Sequence, residues 1–121
     1  MMQNEKEIII TLGQPPSLNT FYSGRHWTVR KKLGDEYKRQ VKDALGAFDI
    51  PTIETFTISI RYNSRFDCDN SILCSKFVSD ALVEAGFVDD DNPKHYKSLR
   101  ISFDETLPKK TYQVKIRYYE R

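Results

Sequence analysis

Alternation of apolar and polar residues along the chain predicts the strands. Residues 56–62 alternate without a break, which is the period of a strand with one buried face. Residues 99–103 and 112–118 show the same period and predict two further strands. Residues 8–12 form a continuous β-branched run that ends at a glycine, which predicts a fully buried strand.

A period of about 3.6 residues predicts two helices between these strands. The first begins at Thr28, a plausible N-cap, and ends near Gly46. Its apolar stripe consists of Val29, Leu33, Tyr37, Val41, Ala44, Leu45 and Phe48. The second covers about residues 71–85 and stops at Gly86, because glycine readily takes the left-handed conformation that follows a helix.

The predicted element order is strand, helix, strand, helix, strand, strand. This order indicates an α+β fold in one domain, residues 1–121, with a mixed sheet flanked by two helices. The composition, 39% hydrophobic and 30% charged, is that of a globular domain. No apolar run is long enough to span a bilayer, and the N-terminus lacks the layout of a signal peptide. We therefore expect a cytoplasmic protein without a membrane partner.

Charge is distributed unevenly along the chain. Residues 22–42 carry seven basic and two acidic side chains, whereas residues 84–91 carry four acidic and no basic ones. A basic surface beside an acidic pocket suits a metal-dependent nuclease, since cations hold the phosphate backbone while carboxylates hold the metal. The basic segment is also consistent with a solvated outer face of the first helix.

Two acidic clusters flank the second predicted helix. Asp67 and Asp69 follow the strand 56–62, and Asp89, Asp90 and Asp91 follow the helix. We expect the helix to bring the second cluster back toward the first, which would form a Mg²⁺ site, because hard cations take carboxylate oxygens and leave positions for substrate phosphate. The alternative for the first cluster is structural, with Asp69 or Asn70 capping the helix.

Other side chains in this region support two interpretations each. Lys76 and Asp80 are four residues apart, so they form either a surface ion pair or a site in which the lysine approaches the scissile phosphate. Cys68 and Cys74 lie close together, but a zinc site needs four ligands, and only His26 and His95 are available besides. Structural thiols are the better interpretation.

The motifs together identify a family resemblance over nearly the full length. The chain resembles the RusA family of Holliday junction resolvases, which are small homodimeric endonucleases often carried by phages and prophages. Three sets of residues carry the resemblance: Gln14-Pro15-Pro16-Ser17-Leu18-Asn19, Arg65-x-Asp67-x-Asp69-Asn70, and Lys76 with Asp80-Ala81-Leu82, Ala85-Gly86 and Asp90-Asp91. One departure is the five residues between Asn70 and Lys76, where the family usually has two.

This resemblance implies Mg²⁺-dependent incision of four-way DNA junctions, with Mn²⁺ as a possible substitute, by a homodimer that nicks two opposed strands. It implies that Asp67, Asp69 and Asp91 are the essential metal-binding acids, with Asp90 beside them and Lys76 assisting catalysis. We expect Arg25, Arg30, Lys31 and Arg65 to contact DNA phosphates, and no small-molecule cofactor. The alternatives are a nuclease that prefers other branched DNA such as flaps, and a junction-binding protein that no longer cuts.

Overall fold

The computed structural model describes residues 4–17 and 27–121, and its elements follow the predicted order. The elements are β1 (Lys6–Leu12), α1 (Trp27–Leu45), β2 (Ile53–Asn63), α2 (Ile72–Glu84), β3 (Tyr96–Phe103) and β4 (Thr111–Glu120). The α+β fold class, with a mixed sheet and two helices, is confirmed. None of the helices in the described ranges is long and apolar enough to cross a membrane.

The four strands form one sheet in the order β1-β4-β2-β3. The strand β4 pairs antiparallel with both β1 and β2, whereas β3 pairs parallel with β2. The unit β2-α2-β3 is therefore a parallel crossover, which needs a connection of a dozen or more residues and here contains a helix. This crossover carries every candidate catalytic residue.

Alternation along the strands buries one face of the sheet under the two helices. The inward side chains of β2 and β4 are almost completely buried. The strand β1 was predicted to be fully buried, which is wrong: it lies at an edge, and its Ile9 is 42% exposed while Ile8 and Ile10 are buried. A continuous apolar run is therefore compatible with a half-exposed edge strand.

The first helix differs from its prediction at its start, whereas its end next to Gly46 is confirmed. It begins at Trp27, so Thr28 lies inside it, and it ends at Leu45, where Gly46 donates its N–H to the Lys42 carbonyl over 3.0 Å. The middle of the predicted stripe is buried, as Tyr37, Val41 and Leu45 show. Its two ends are not, because Val29 is 39% and Phe48 41% exposed.

The second helix stops where its sequence predicts. Gly86 has φ +83° and donates to the Val83 carbonyl over 3.0 Å, while Phe87 donates to the Leu82 carbonyl over 3.0 Å. These two bonds form a Schellman motif, which satisfies the last carbonyls and reverses the chain. The reversal sends the acidic segment 89–91 back along the side of α2.

The alternation in β1 generates a testable contrast between two neighbouring isoleucines. Ile10→Ala removes a buried side chain and is expected to lower the free energy of unfolding by about 2–5 kcal/mol. Ile9→Ala, the matched control on the exposed face, is expected to change it by less than about 0.5 kcal/mol. Urea denaturation of both variants measures the difference, and equal losses would contradict the register of β1.

Candidate active-site groove

The helix α2 and the edge strand β3 diverge and leave an open groove of about 500 Å³, called here the α2–β3 groove. The groove is lined by residues of α2, of β3 and of the loop between them: Ile72, Leu73, Ser75, Lys76, Ser79, Asp91, Tyr96, Lys97, Ser98 and Leu99. Of the sequence-predicted site residues, Lys76 and Asp91 lie in this lining. The groove exists because the inward row of β3 extends beyond the reach of α2, which leaves Leu99 38% exposed.

Asp91 is held in place by the loop that follows the Schellman turn. Its N–H donates to Asp90 Oδ1 over 2.7 Å, and its Oδ2 lies 3.4 Å from the buried Ser79 Oγ. The second oxygen of Asp90 accepts a bond from the Asn92 side chain over 3.1 Å, so Asp90 orders the loop. Asp89 forms an ion pair with Arg121 instead. Of the acidic triplet, Asp91 alone lines the groove.

The loop is tied to the start of β2 by a buried histidine. His95 Nδ1 lies 2.7 Å from the Glu54 carbonyl oxygen, and Phe56 donates its N–H to the His95 carbonyl over 2.8 Å. His95 is 5% exposed, which leaves it no access to a substrate. These contacts fix the position of Asp91 relative to the sheet.

Asp80 joins Asp91 and Lys76 electrostatically. Lys76 Nζ lies 3.8 Å from Asp80 Oδ2, which is the helical i, i+4 pair that the spacing allowed. Burial raises the pKa of Asp80, and the negative charge of Asp91 raises it further, whereas Lys76 acts in the opposite direction. The sequence interpretation did not assign Asp80 a place in the site. The sequence feature that could have pointed to Asp80 was the Asp80-Ala81-Leu82 motif, but this motif alone does not give the distance from Asp80 to Asp91.

Asp67 and Asp69 do not line the α2–β3 groove. The strand β2 ends at Asn63, and both aspartates lie in the turn before α2 rather than at a strand end. Asp67 Oδ1 accepts the Asn70 N–H over 2.8 Å, a bond that orders the turn before the helix. The N-cap position of α2 is Ser71, which makes no side-chain cap hydrogen bond, so the capping role that the sequence suggested for Asp69 or Asn70 is wrong. The side chain of Asp69 is exposed.

The expectation that α2 would bring the two acidic clusters together is not met in the structure. The returning chain reaches only the level of Ser79, which is about 10 Å along the helix axis from Ile72. Across residues 4–17 and 27–121, no three acidic, histidine or cysteine side chains lie close enough to hold a metal ion. Mg²⁺ also binds through one or two carboxylates completed by water and phosphate. The acidic side chains available for this mode are Asp91, which lines the groove, and Asp80, which pairs with Lys76 beside it.

The predicted DNA-contacting residues are spread over the surface. Arg30 and Lys31 lie in the first turns of α1, and Lys31 pairs with Asp35 over 2.7 Å. Arg65 lines a smaller cavity of about 290 Å³ together with Lys109 and Lys110. Those two lysines were not predicted to contact DNA, although their adjacency in the sequence was the available signal. Arg25 lies outside the described residues.

The two cysteines have different environments. Cys74 is completely buried, and burial raises the pKa of its thiol to about 12. It lies 3.4 Å from the Tyr37 hydroxyl, so it is a packed structural thiol as expected. Cys68 is a free, exposed thiol in the turn between Asp67 and Asp69.

Comparisons with known proteins leave the family open. No protein-family model matches the chain, and no curated protein matches it either. Among solved structures, the hydrogenase maturation protein HypE matches 99% of this chain at 12% identity with a TM-score of 0.35. The chain spans 32% of the length of that protein. A similarity at this level carries no argument about fold or function.

The bond between Asp67 and Asn70 in the turn before α2 generates a stability prediction that separates folding from chemistry. Asp67→Ala removes the acceptor for the Asn70 N–H and is expected to cost about 1 kcal/mol of unfolding free energy. Asp67→Asn keeps a side-chain oxygen and is expected to stay within about 0.5 kcal/mol of the parent. Urea denaturation compares the two variants, and an alanine variant as stable as the parent would show that the Asp67–Asn70 bond does not stabilise the fold.

The raised pKa of Asp80 generates a prediction about pH. Because the folded chain binds this proton more tightly than the unfolded chain, stability falls as pH rises through the raised pKa. Asp80→Asn is therefore expected to be more stable than the parent at pH 7. This gain in stability should disappear at a pH below the ordinary pKa of an aspartate, where Asp80 is protonated in both the folded and the unfolded chain.

Thermal melts across that pH range test this, with the exposed Asp43→Asn on α1 as control. A gain that is constant with pH, or one that the control shares, would rule out the assignment to Asp80.

Proposed function

We propose that this chain is a Mg²⁺-dependent, structure-selective endodeoxyribonuclease that resolves four-way DNA junctions. The observation that carries the proposal is the shared position of Asp91 and Lys76 on one open groove, with Asp80 Oδ2 3.8 Å from Lys76 Nζ. Carboxylates and a cation gathered at one accessible surface are the groups that phosphodiester hydrolysis needs. The resemblance to RusA resolvases supplies the substrate class.

The proposal gives each of these side chains a role. Asp91 and Asp80 would hold Mg²⁺, whose chemistry when bound is polarisation of the phosphate and activation of water. Mn²⁺ is the expected substitute, since it also suits carboxylate and water ligands. Lys76 is 56% exposed, so its ammonium can turn from Asp80 toward a phosphate and offset the charge that develops there. The additional ligands Asp67 and Asp69 remain predictions.

Binding of the DNA backbone is proposed for the basic residues around the helices. Arg30, Lys31 and Arg65, with Arg25 as a further prediction, would contact phosphates, and Lys109 and Lys110 extend the basic rim beside Arg65. Contacts of this kind position the substrate without reading its sequence. A homodimer matches the two-fold symmetry of a four-way junction and would nick opposed strands. We propose the cytoplasm of a bacterium or a phage-infected host as its location.

A second candidate function rests on one specific observation. Asp67 and Asp69 lie outside the α2–β3 groove, and the five-residue spacing before Lys76 separates them from it. A protein whose acidic residues are separated in this way would lack a complete metal site, and it could bind branched DNA without cutting it. Preference for flaps or other branched substrates is the remaining alternative within the nuclease class.

The proposed function predicts specific losses of cleavage. On a labelled synthetic four-way junction in Mg²⁺, the parent is expected to produce paired, symmetric nicks near the branch. Asp91→Asn is expected to lower the cleavage rate by about 100-fold or more, and Lys76→Gln by at least about tenfold, since both remove groups aimed at transition-state charge. Asp69→Asn tests the predicted additional ligand in the same assay.

Matched variants and substrates decide between the candidates. Asp43→Asn and Lys94→Gln, both exposed and away from the groove lining, are expected to cut like the parent. Linear duplex of the same sequence should remain intact, and faster cutting of a flap would favour the other nuclease. Tight junction binding without nicks in Mg²⁺ or Mn²⁺ would favour the binding protein and reject the nuclease.

A further inference from the structure

The face of the sheet that the helices leave uncovered carries a regular array of polar side chains, called here the open face. The strand registers place Lys115, Ser59 and Arg100 side by side on β4, β2 and β3. The next row toward one end is Arg117, Thr57 and Ser98, and the row toward the other end is Gln113, Arg61 and Ser102. Three adjacent strands therefore present four cations on one surface.

The acidic partners of this array lie at its margins. Arg117 Nε lies 3.4 Å from Glu7 on the edge strand β1, and Arg61 lies 3.1 Å from Asp104, which follows β3. In the described parts of the chain, neither Arg100 nor Lys115 has an acidic side chain within ion-pair distance. The centre of the open face therefore has two cations whose charge is not offset locally.

The spacing and shape of the centre suit a phosphate backbone. Lys115 and Arg100 lie on either side of β2, so their Cα atoms are about 10 Å apart. Between them lies Ser59, and the neighbouring outward position on β2, Thr57, is also a short hydroxyl residue. No large side chain on β2 rises between the two cations. Lysine, arginine, serine and threonine side chains are the groups that most often contact phosphate oxygens in DNA complexes.

The charge and polarity of the open face decide what can cover it. Packing of a second sheet requires an apolar face about 10 Å from its partner, whereas the outward positions of β2, β3 and β4 in this array are polar or charged. A polyanion offers the complementary charge, since duplex DNA carries one charge per about 1.7 Å of helix axis. The open face also lies on the opposite side of the sheet from the helices that form the α2–β3 groove.

We infer that the open face is a second DNA-binding surface, in which Arg100 and Lys115 contact backbone phosphates of a duplex segment that does not pass through the groove. The inference rests on the proposed function for the identity of the polyanion as DNA. The contacts are independent of sequence, because no residue of the centre reads a base edge. They bind a duplex arm and leave the cleavage step unchanged.

The experiment measures DNA affinity in EDTA, so that binding is separated from cleavage. A fluorescently labelled duplex and a four-way junction are titrated with Arg100→Gln/Lys115→Gln at several salt concentrations. The double variant is expected to bind about tenfold more weakly, and the slope of log affinity against log salt is expected to fall by about 2. The control Lys94→Gln removes a cation from an exposed position that lies off the sheet and outside the basic segment 22–42, and it is expected to bind like the parent.

The outcomes separate this inference from the proposed function. Weaker binding by the double variant, with an unchanged cleavage rate at saturating protein, supports the inference. Absence of nicking by the parent would reject the nuclease, while the loss of binding would still support the surface. Equal binding by the double variant and the parent would overturn the inference. So would tighter retention of polyglutamate than of duplex, since that would indicate an acidic protein partner.

Discussion

The one-sided burial of the sheet is the constraint on which the rest of the structure depends. Every second residue of β2 and β4 enters the core, so both helices must lie on the same side and cannot cover the other. Because β4 lies between β1 and β2, it fixes the register of three of the four strands. The remaining strand, β3, is held by β2 alone and extends beyond the helices. The α2–β3 groove and the open face follow from this single arrangement.

The repulsion between the carboxylates of Asp80 and Asp91 is opposed by the contacts that fix each residue in the fold. Asp80 and Asp91 would separate if they were free, but the first is fixed on α2 and the second on a loop tied to β2 through His95. The Schellman turn at Gly86 aims that loop back along the helix. Asp80 is thus held by its place on the helix and Asp91 by its contacts with Asp90 and Ser79, and a bound cation or the ammonium of Lys76 would relieve the repulsion between the two carboxylates.

The sequence predicted the fold better than the site, for physical reasons. The strict alternation in 56–62 and the glycine at position 86 act locally, so element types and the stop of α2 could be predicted. The edge position of β1 depends on which strands pair, which no local pattern in 8–12 reveals. Asp67 and Asp91 are each near a recognisable motif. Their distance, however, depends on how far the chain returns along α2, and this is set by the hydrogen bonds of the 87–95 loop.

The order of the strands also governs how the chain can fold. The first strand pairs only with the last, as Lys6 faces Tyr118 in the register, so almost the whole chain lies between two partners. Closing so large a loop costs conformational entropy before the strand pairing forms any stabilising contacts. Topologies of this kind therefore fold slowly. The crossover β2-α2-β3 joins neighbouring elements and can form early. During synthesis, α1 can cover the inward side of β1 early, as the bond from the Tyr37 hydroxyl to the Gly13 carbonyl shows. The hydrogen-bonding edge of β1, however, stays unpaired until β4 arrives, which leaves that edge open to pairing with another chain.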